Sequence, residues 1–195
     1  MQKQEVTIKN PKDTIIAVAL RVFGRLGVYK TTMNDIAKAA KKGRRTIYQY
    51  FKSKEEIYQA VLEKETANMV VPMKAIVKSE LTPGEKLRDY SHQRINSINR
   101  IAANHNAFKV GFIQNDKVIL KLRKRFDRFD LELLTKIVKE GAEKGEFKIN
   151  NIELTVKNIQ LGLKGMEIDF IRNNWNDDCK LQLNLFIDMI TKGIM

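Results

Sequence analysis

The sequence has a single cysteine, Cys179, which excludes an intramolecular disulfide and points to a reducing compartment. No apolar run approaches the roughly 18 residues of a membrane span. The start, MQKQEVTIKNPKD, is polar and lacks the apolar segment of a signal peptide. These absences lead to the expectation of a soluble, cytoplasmic protein without a membrane partner. Only two histidines occur, His92 and His105, and neither stands in metal-ligand spacing with Cys179. No G-x-S-x-G, Walker or dinucleotide motif is present, and Gly162 and Gly165 lie inside a helical pattern with no preceding strand. No catalytic residue, metal ligand or cofactor is assigned on this basis, and the chain is not expected to be an enzyme.

Positive charge, by contrast, is abundant and unevenly placed. The 195 residues carry a net +13. Residues 1–54 hold 13 Lys or Arg against 3 Asp or Glu, whereas the remainder holds 23 against 20. The excess is therefore concentrated at one end, as expected of a protein that meets a polyanion, for which nucleic acid is the usual case. Apolar content is ordinary for a globular chain, so a packed core is expected.

The basic end contains the stretch TTMNDIAKAAKKGRRTIYQYFKSK, residues 31–54. Thr32 followed by Asp35 fits a capping box, and Met33, Ile36, Ala37 and Ala40 then recur at helical spacing. Lys41, Lys42 and Gly43 break the pattern, which resumes at Ile47, Tyr50 and Phe51. Two short helices around a glycine-containing turn are the ingredients of a helix-turn-helix, whose second helix can enter a major groove. A preceding helix opens at Asn10, Pro11 and Asp13, places Ile15, Ala19, Val22, Phe23 and Leu26 on one face, and stops at Gly27. Ile36, Ile47, Tyr50 and Phe51 are read as core.

Helical patterns fill the rest of the chain. Ser53 with Glu56 caps a long helix that is expected to kink at Pro72. Thr82, Pro83 and Glu85 start another, carrying Leu87, Tyr90, Arg94, Ile95, Ile98 and Ala102. Residues 107–114 read as a short helix. A charged amphipathic helix then runs from Lys117 to Gly145, its run Lys121, Arg123, Lys124, Arg125 and Arg128 being read as a solvated face. From Asn151 to Trp175, one seam comprises Ile152, Val156, Ile159, Leu163, Met166 and Phe170. A second stripe comprises Leu154, Leu161, Ile168 and Trp175. The last segment is apolar nearly all round, with Leu181, Leu183, Leu185, Phe186, Ile187, Met189 and Ile190, so cover by a second copy of the chain is expected. The whole is expected to be all-α with about nine helices: a three-helix domain over residues 1–52, with its helix-turn-helix at 32–51, and a larger helical domain over 53–195.

Thr32 through Ala40, followed by Thr46-Ile47-Tyr48-Gln49-Tyr50-Phe51-Lys52-Ser53-Lys54-Glu55-Glu56-Ile57, resembles the DNA-binding region of the TetR family of bacterial transcriptional regulators. The likeness covers about residues 12–60. It implies a homodimer that binds operator DNA with its N-terminal domain. The C-terminal domain would receive an unknown small-molecule effector, whose binding commonly releases DNA. The resemblance also implies a four-helix dimer interface from the last two helices of each protomer, for which Leu161, Gly162, Gly165, Ile168, Trp175, Leu183, Phe186 and Ile190 are the candidates. Thr32, Tyr48, Lys52 and Lys54 are candidate phosphate contacts, while Arg44, Arg45, Thr46 and Gln49 are candidate base readers. Tyr90, Phe108, Phe112, Phe126 and Met166 are candidate pocket residues. Where the family often has Gly-Val-Ser in the turn, this chain has Lys41-Lys42-Gly43, with Arg45 beyond. A constitutive nucleoid-type DNA-binding protein and a helical enzyme are the alternatives.

Overall fold

A computed structural model describes residues 10–113 and 117–195, which form nine helices with no strand among them. These are α1 (Pro11–Leu26), α2 (Met33–Ala39), α3 (Arg44–Tyr50), α4 (Lys54–Lys78), α5 (Pro83–Asn104), α6 (Asn106–Ile113), α7 (Lys117–Glu143), α8 (Ile152–Arg172) and α9 (Asp177–Ile194). Packing divides the chain into two compact units, one up to Lys64 and one from Glu65, so the division falls inside α4.

Most helix starts follow from side-chain caps. Asn10, Asn151 and Asn176 each accept an amide from the first turn of α1, α8 and α9. Thr32 with Asp35 and Thr82 with Glu85 form full capping boxes on α2 and α5. At α4 the reciprocal bond is displaced by one residue: Ser53 Oγ accepts the Glu56 amide, while Glu56 Oε2 accepts the amide of Lys52. Gly27, at φ 79°, ends α1, and Gly145, at φ 71°, sits just beyond α7. Pro72 lies inside α4, which continues through it.

In the larger unit α5, α7 and α8 pack on one another, with α6 against all three and α9 against α5. Their shared interior is polar as well as apolar. Arg94 of α5 is 0% exposed; its Nε donates to Asp130 Oδ1 of α7 at 3.0 Å, and its Nη1 lies 2.6 Å from Glu167 Oε1 of α8. Tyr90 donates to the same Asp130 oxygen at 2.8 Å, and Gln160 donates to the other at 2.9 Å. Arg123 reaches Glu167 Oε2 at 3.2 Å and lies over the Phe112 ring at 4.1 Å, so it leaves the solvated face on which the sequence pattern had placed it. Phe129, three residues beyond the buried Phe126 on α7, is exposed and lies under Lys74.

Gly141 shows packing overriding helix propensity. It is buried within α7, and a Cβ built there would lie 2.1 Å from the ring of Phe147, itself buried. Propensity alone would have Gly141→Ala stabilise the helix by about 1 kcal/mol. The steric conflict should reverse that sign, with a net loss of about 1–2 kcal/mol, measurable as a lowered urea midpoint.

Candidate nucleic-acid interface

The smaller unit is built around one apolar cluster. Ile15, Ala19, Val22 and Phe23 from α1 meet Met33, Ile36 and Ala37 from α2, Ile47 and Phe51 from the α3 segment, and Ile57 and Val61 from α4. Helix α3 is only seven residues long and buries just Ile47 among them. One anchored face leaves the opposite face free. Arg44, Arg45, Tyr48 and Gln49 are exposed on it, and Thr46 is half-buried. Tyr50, expected in the core, is 37% exposed, because Ile47 and Phe51 already fill the contact with α1 and α2.

The turn ahead of α3 departs from the usual glycine arrangement. Lys41 adopts the left-handed conformation at φ 51°, while Gly43 is extended and serves as the N-cap of α3 without any side-chain hydrogen bond. Gly43 therefore supplies no capping oxygen, a modest loss relative to serine. Lys41, Lys42, Arg44 and Arg45 are all exposed, giving four cations within five residues at the positively polarised start of a helix. Anions are attracted to such a place. Arg44 folds over the ring of Tyr48 at 5.4 Å, with Nη2 3.4 Å from the hydroxyl, so the two side chains form one exposed unit.

The candidate phosphate contacts differ in availability. Tyr48 and Lys52 are exposed. Lys54 instead donates to the Tyr29 carbonyl at 3.1 Å, which fixes the loop between α1 and α2. The Thr32 hydroxyl accepts the Asp35 amide at 3.2 Å and donates to Asp35 Oδ2 at 2.7 Å, so it is engaged in its own cap. Those Thr32 bonds hold the Asp35 carboxyl below its ordinary value and keep the cap ionised at neutral pH.

In the larger unit, Phe108, Phe112 and Phe126 line a small cavity together with Met69, Arg123 and Glu167. Its volume is about 30 Å³, which accommodates a single water. Tyr90 and Met166 do not line it: Tyr90 is committed to Asp130, and Met166 is half-buried on α8.

The outer surfaces of α8 and α9 carry large exposed apolar side chains. Leu161 is 62% exposed and Leu185 60%, and Leu154, Leu181 and Met189 are similarly bare. Of the other interface candidates, Gly165 is open, and Ile168 and Ile190 are half-buried. Leu183 is a correction: at 0% exposure it belongs to the core of its own protomer, on the same face of α9 as Cys179 and Ile187. Gly162 and Phe186 meet one another, since a Cβ on Gly162 would fall 2.1 Å from the Phe186 ring. Trp175 packs against Phe170 at 5.4 Å. Of the apolar residues of the last helix for which cover by a second copy is expected, Leu181, Leu185 and Met189 are the bare ones, since an all-apolar helix does not reveal which stripe faces inward. No helix of the described residues is long and apolar enough to cross a membrane.

Comparison with known proteins agrees with this geometry. Residues 15–61 match the family model for bacterial regulatory proteins of the tetR family. Over 191 residues the chain is 26% identical to the fatty acid metabolism regulator protein of Bacillus subtilis (strain 168), covering 95% of this chain and 97% of that one. A transcriptional regulator from Cytophaga hutchinsonii has the same fold, with a TM-score of 0.80 at 24% identity over 93% of this chain and 97% of that one. The FadR regulator of Bacillus subtilis, solved in complex with stearoyl-CoA, aligns with a TM-score of 0.65 at 23% identity, over 94% of this chain and 99% of that one. Residues 15–61 are thus a DNA-binding domain of the tetR family of bacterial regulatory proteins, and the chain as a whole is similar to regulators that carry it.

Proposed function

We propose that the chain is a homodimeric transcriptional repressor that binds a palindrome-like operator through α3 and is released by a small-molecule effector taken up by its C-terminal unit. The observation that carries the DNA-binding part is the exposed, cationic face of α3 standing on a helix anchored only by Ile47. Arg44, Arg45, Thr46 and Gln49 would read base edges, while Tyr48 and Lys52 would hold phosphates. Thr32 and Lys54 would serve this face by fixing α2 and the loop before it.

Effector control is supported by the relative solved with stearoyl-CoA and by the aromatic cavity among α5, α6 and α7. That cavity offers about 30 Å³, room for a single water, whereas small-molecule sites span roughly 300–1,000 Å³. An occupant there would have to displace the α6 aromatics. Dimerisation is supported by the bare apolar stripes on α8 and α9.

The test is a gel-shift titration against the DNA flanking the protein's own gene, with half-sites about one helical turn or a multiple apart. Arg45→Ala should lose about 1–3 kcal/mol of discrimination at one base position. A uniform weakening across all sequences would reassign Arg45 to a phosphate.

A further inference from the structure

A second concavity, separate from the aromatic cavity, lies between the C-terminal half of α5, α6 and the α8–α9 connection. Its volume is about 400 Å³, within the range of small-molecule sites. The polar part of the lining carries no acid: Asn96, Asn106 and Asn174 contribute amides, Asn99 contributes its amide oxygen while its nitrogen donates to the Ile95 carbonyl at 3.0 Å, and Arg100 and Lys109 contribute the charge. Neither cation has a carboxylate partner among the described residues, and Lys109 Nζ is held at 2.6 Å by the neutral Asn174 Oδ1. Two unneutralised cations converging with amide donors on one groove form a receptor for an anion.

The apolar part of the groove is equally specific. Ala102, Ala103 and Ile171 give small, flat walls, and Trp175 supplies an indole. The segment that presents the indole is held in an uncommon conformation, with Asn174 at φ 55° and Trp175 at φ 52°. Two successive non-glycine residues in the left-handed region cost of order 1–2 kcal/mol each, and for a residue as bulky as tryptophan such a φ is a marked outlier. The same conformation ends α8, with the Trp175 amide donating to the Phe170 carbonyl at 3.0 Å, and it fixes the indole at the edge of the groove.

The geometry points to a binding site for a small phosphorylated ligand with a planar ring, of the nucleotide type: Arg100 and Lys109 hold the phosphates, the asparagines hold the polar linker, and Trp175 stacks on the ring. Its consequence for DNA binding rests on the effector control proposed above; the binding itself does not.

Trp175 is the sole tryptophan, so the intrinsic fluorescence of the full chain reads this groove directly, without DNA. ADP, pyrophosphate and adenosine are titrated at constant ionic strength, excited beyond the adenine absorption, with sodium sulfate as the charge control. ADP should give a saturable change. Adenosine and pyrophosphate should each bind at least about tenfold more weakly, since each lacks one half of the recognised chemistry. Arg100→Gln and Lys109→Gln, both outside the core, should each raise the ADP Kd about tenfold, whereas Arg21→Gln in the DNA-binding unit should not change it. The proposal is overturned by the absence of a saturable signal, by an equal response to sulfate, by pyrophosphate binding as tightly as ADP, or by variants with unaltered Kd. Adding ADP to the operator titration then separates the two readings. A site that binds ADP while leaving operator affinity unchanged is a ligand site without the effector role, and failure of operator binding itself leaves the groove result standing.

Discussion

Replacing Arg94 by leucine should destabilise the protein by about 3–5 kcal/mol, seen as a collapse of the thermal and urea transitions of the larger unit. Arg94 is fully buried between Asp130 and Glu167, so the substitution leaves Asp130 in the interior with only the neutral donors Tyr90 and Gln160, and Glu167 with Arg123 alone. The effect should depend on pH. Burial already pushes the Glu167 carboxyl up, against the pull of Arg94 and Arg123. Without Arg94 that carboxyl rises further, and the folded state holds protons that the unfolded chain releases. Between the ordinary carboxylate value and the raised folded value, stability therefore falls as pH rises. The deficit of Arg94→Leu should thus be smaller near about pH 5 than near about pH 8. Adding Asp130→Asn and Glu167→Gln should restore much of the loss, because neutral amides remove the stranded charge. A triple variant no more stable than Arg94→Leu would show that Arg94 acts through packing against Phe126 instead.

Introducing glutamate at both Leu161 and Leu185 should convert the protein to a monomer and weaken operator binding by roughly 10²–10⁴-fold, the gain that linking two reading heads supplies. Both side chains are mostly exposed within the protomer, so the thermal transition of an isolated chain should hardly move. Sedimentation would read the association state, and the gel shift would read the affinity. Leu183→Glu is the contrasting variant. It lies in the protomer core and should unfold the larger unit whatever the association state. If the wild-type chain sediments as a monomer, the apolar stripes on α8 and α9 are not a self-association surface.

The parts of this structure that were legible in the sequence are those set by local chemistry. Asn10, Thr32 with Asp35, Thr82 with Glu85, Asn151 and Gly27 place helix ends because each acts within one turn of itself. The anchored face of α3 was equally readable, from Ile47 and Phe51. Long-range pairing was not. Arg94, Asp130 and Glu167 sit on three helices, and no local pattern distinguishes a charged residue bound for the interior from one facing water. Arg123 was placed on a solvated face for that reason, and its turn inward toward Glu167 depends on where α8 packs. Tyr50 failed in the opposite direction: its spacing matched Ile47, but the small core had no room left. The groove at Arg100, Lys109 and Trp175 joins residues from three segments and includes two left-handed residues that no sequence signal announced.

Footprinting with competitor DNA tests most directly whether α3 reads a specific DNA sequence. The wild-type protein, titrated on the DNA beside its own gene, should protect one palindrome-like segment. That protection should persist under an excess of unrelated duplex, fall steeply with salt, and lose its selectivity in the Arg44→Ala, Arg45→Ala double variant. Protection spread evenly along the DNA, and removed equally by any duplex, would contradict the account and favour a constitutive, sequence-indifferent binder.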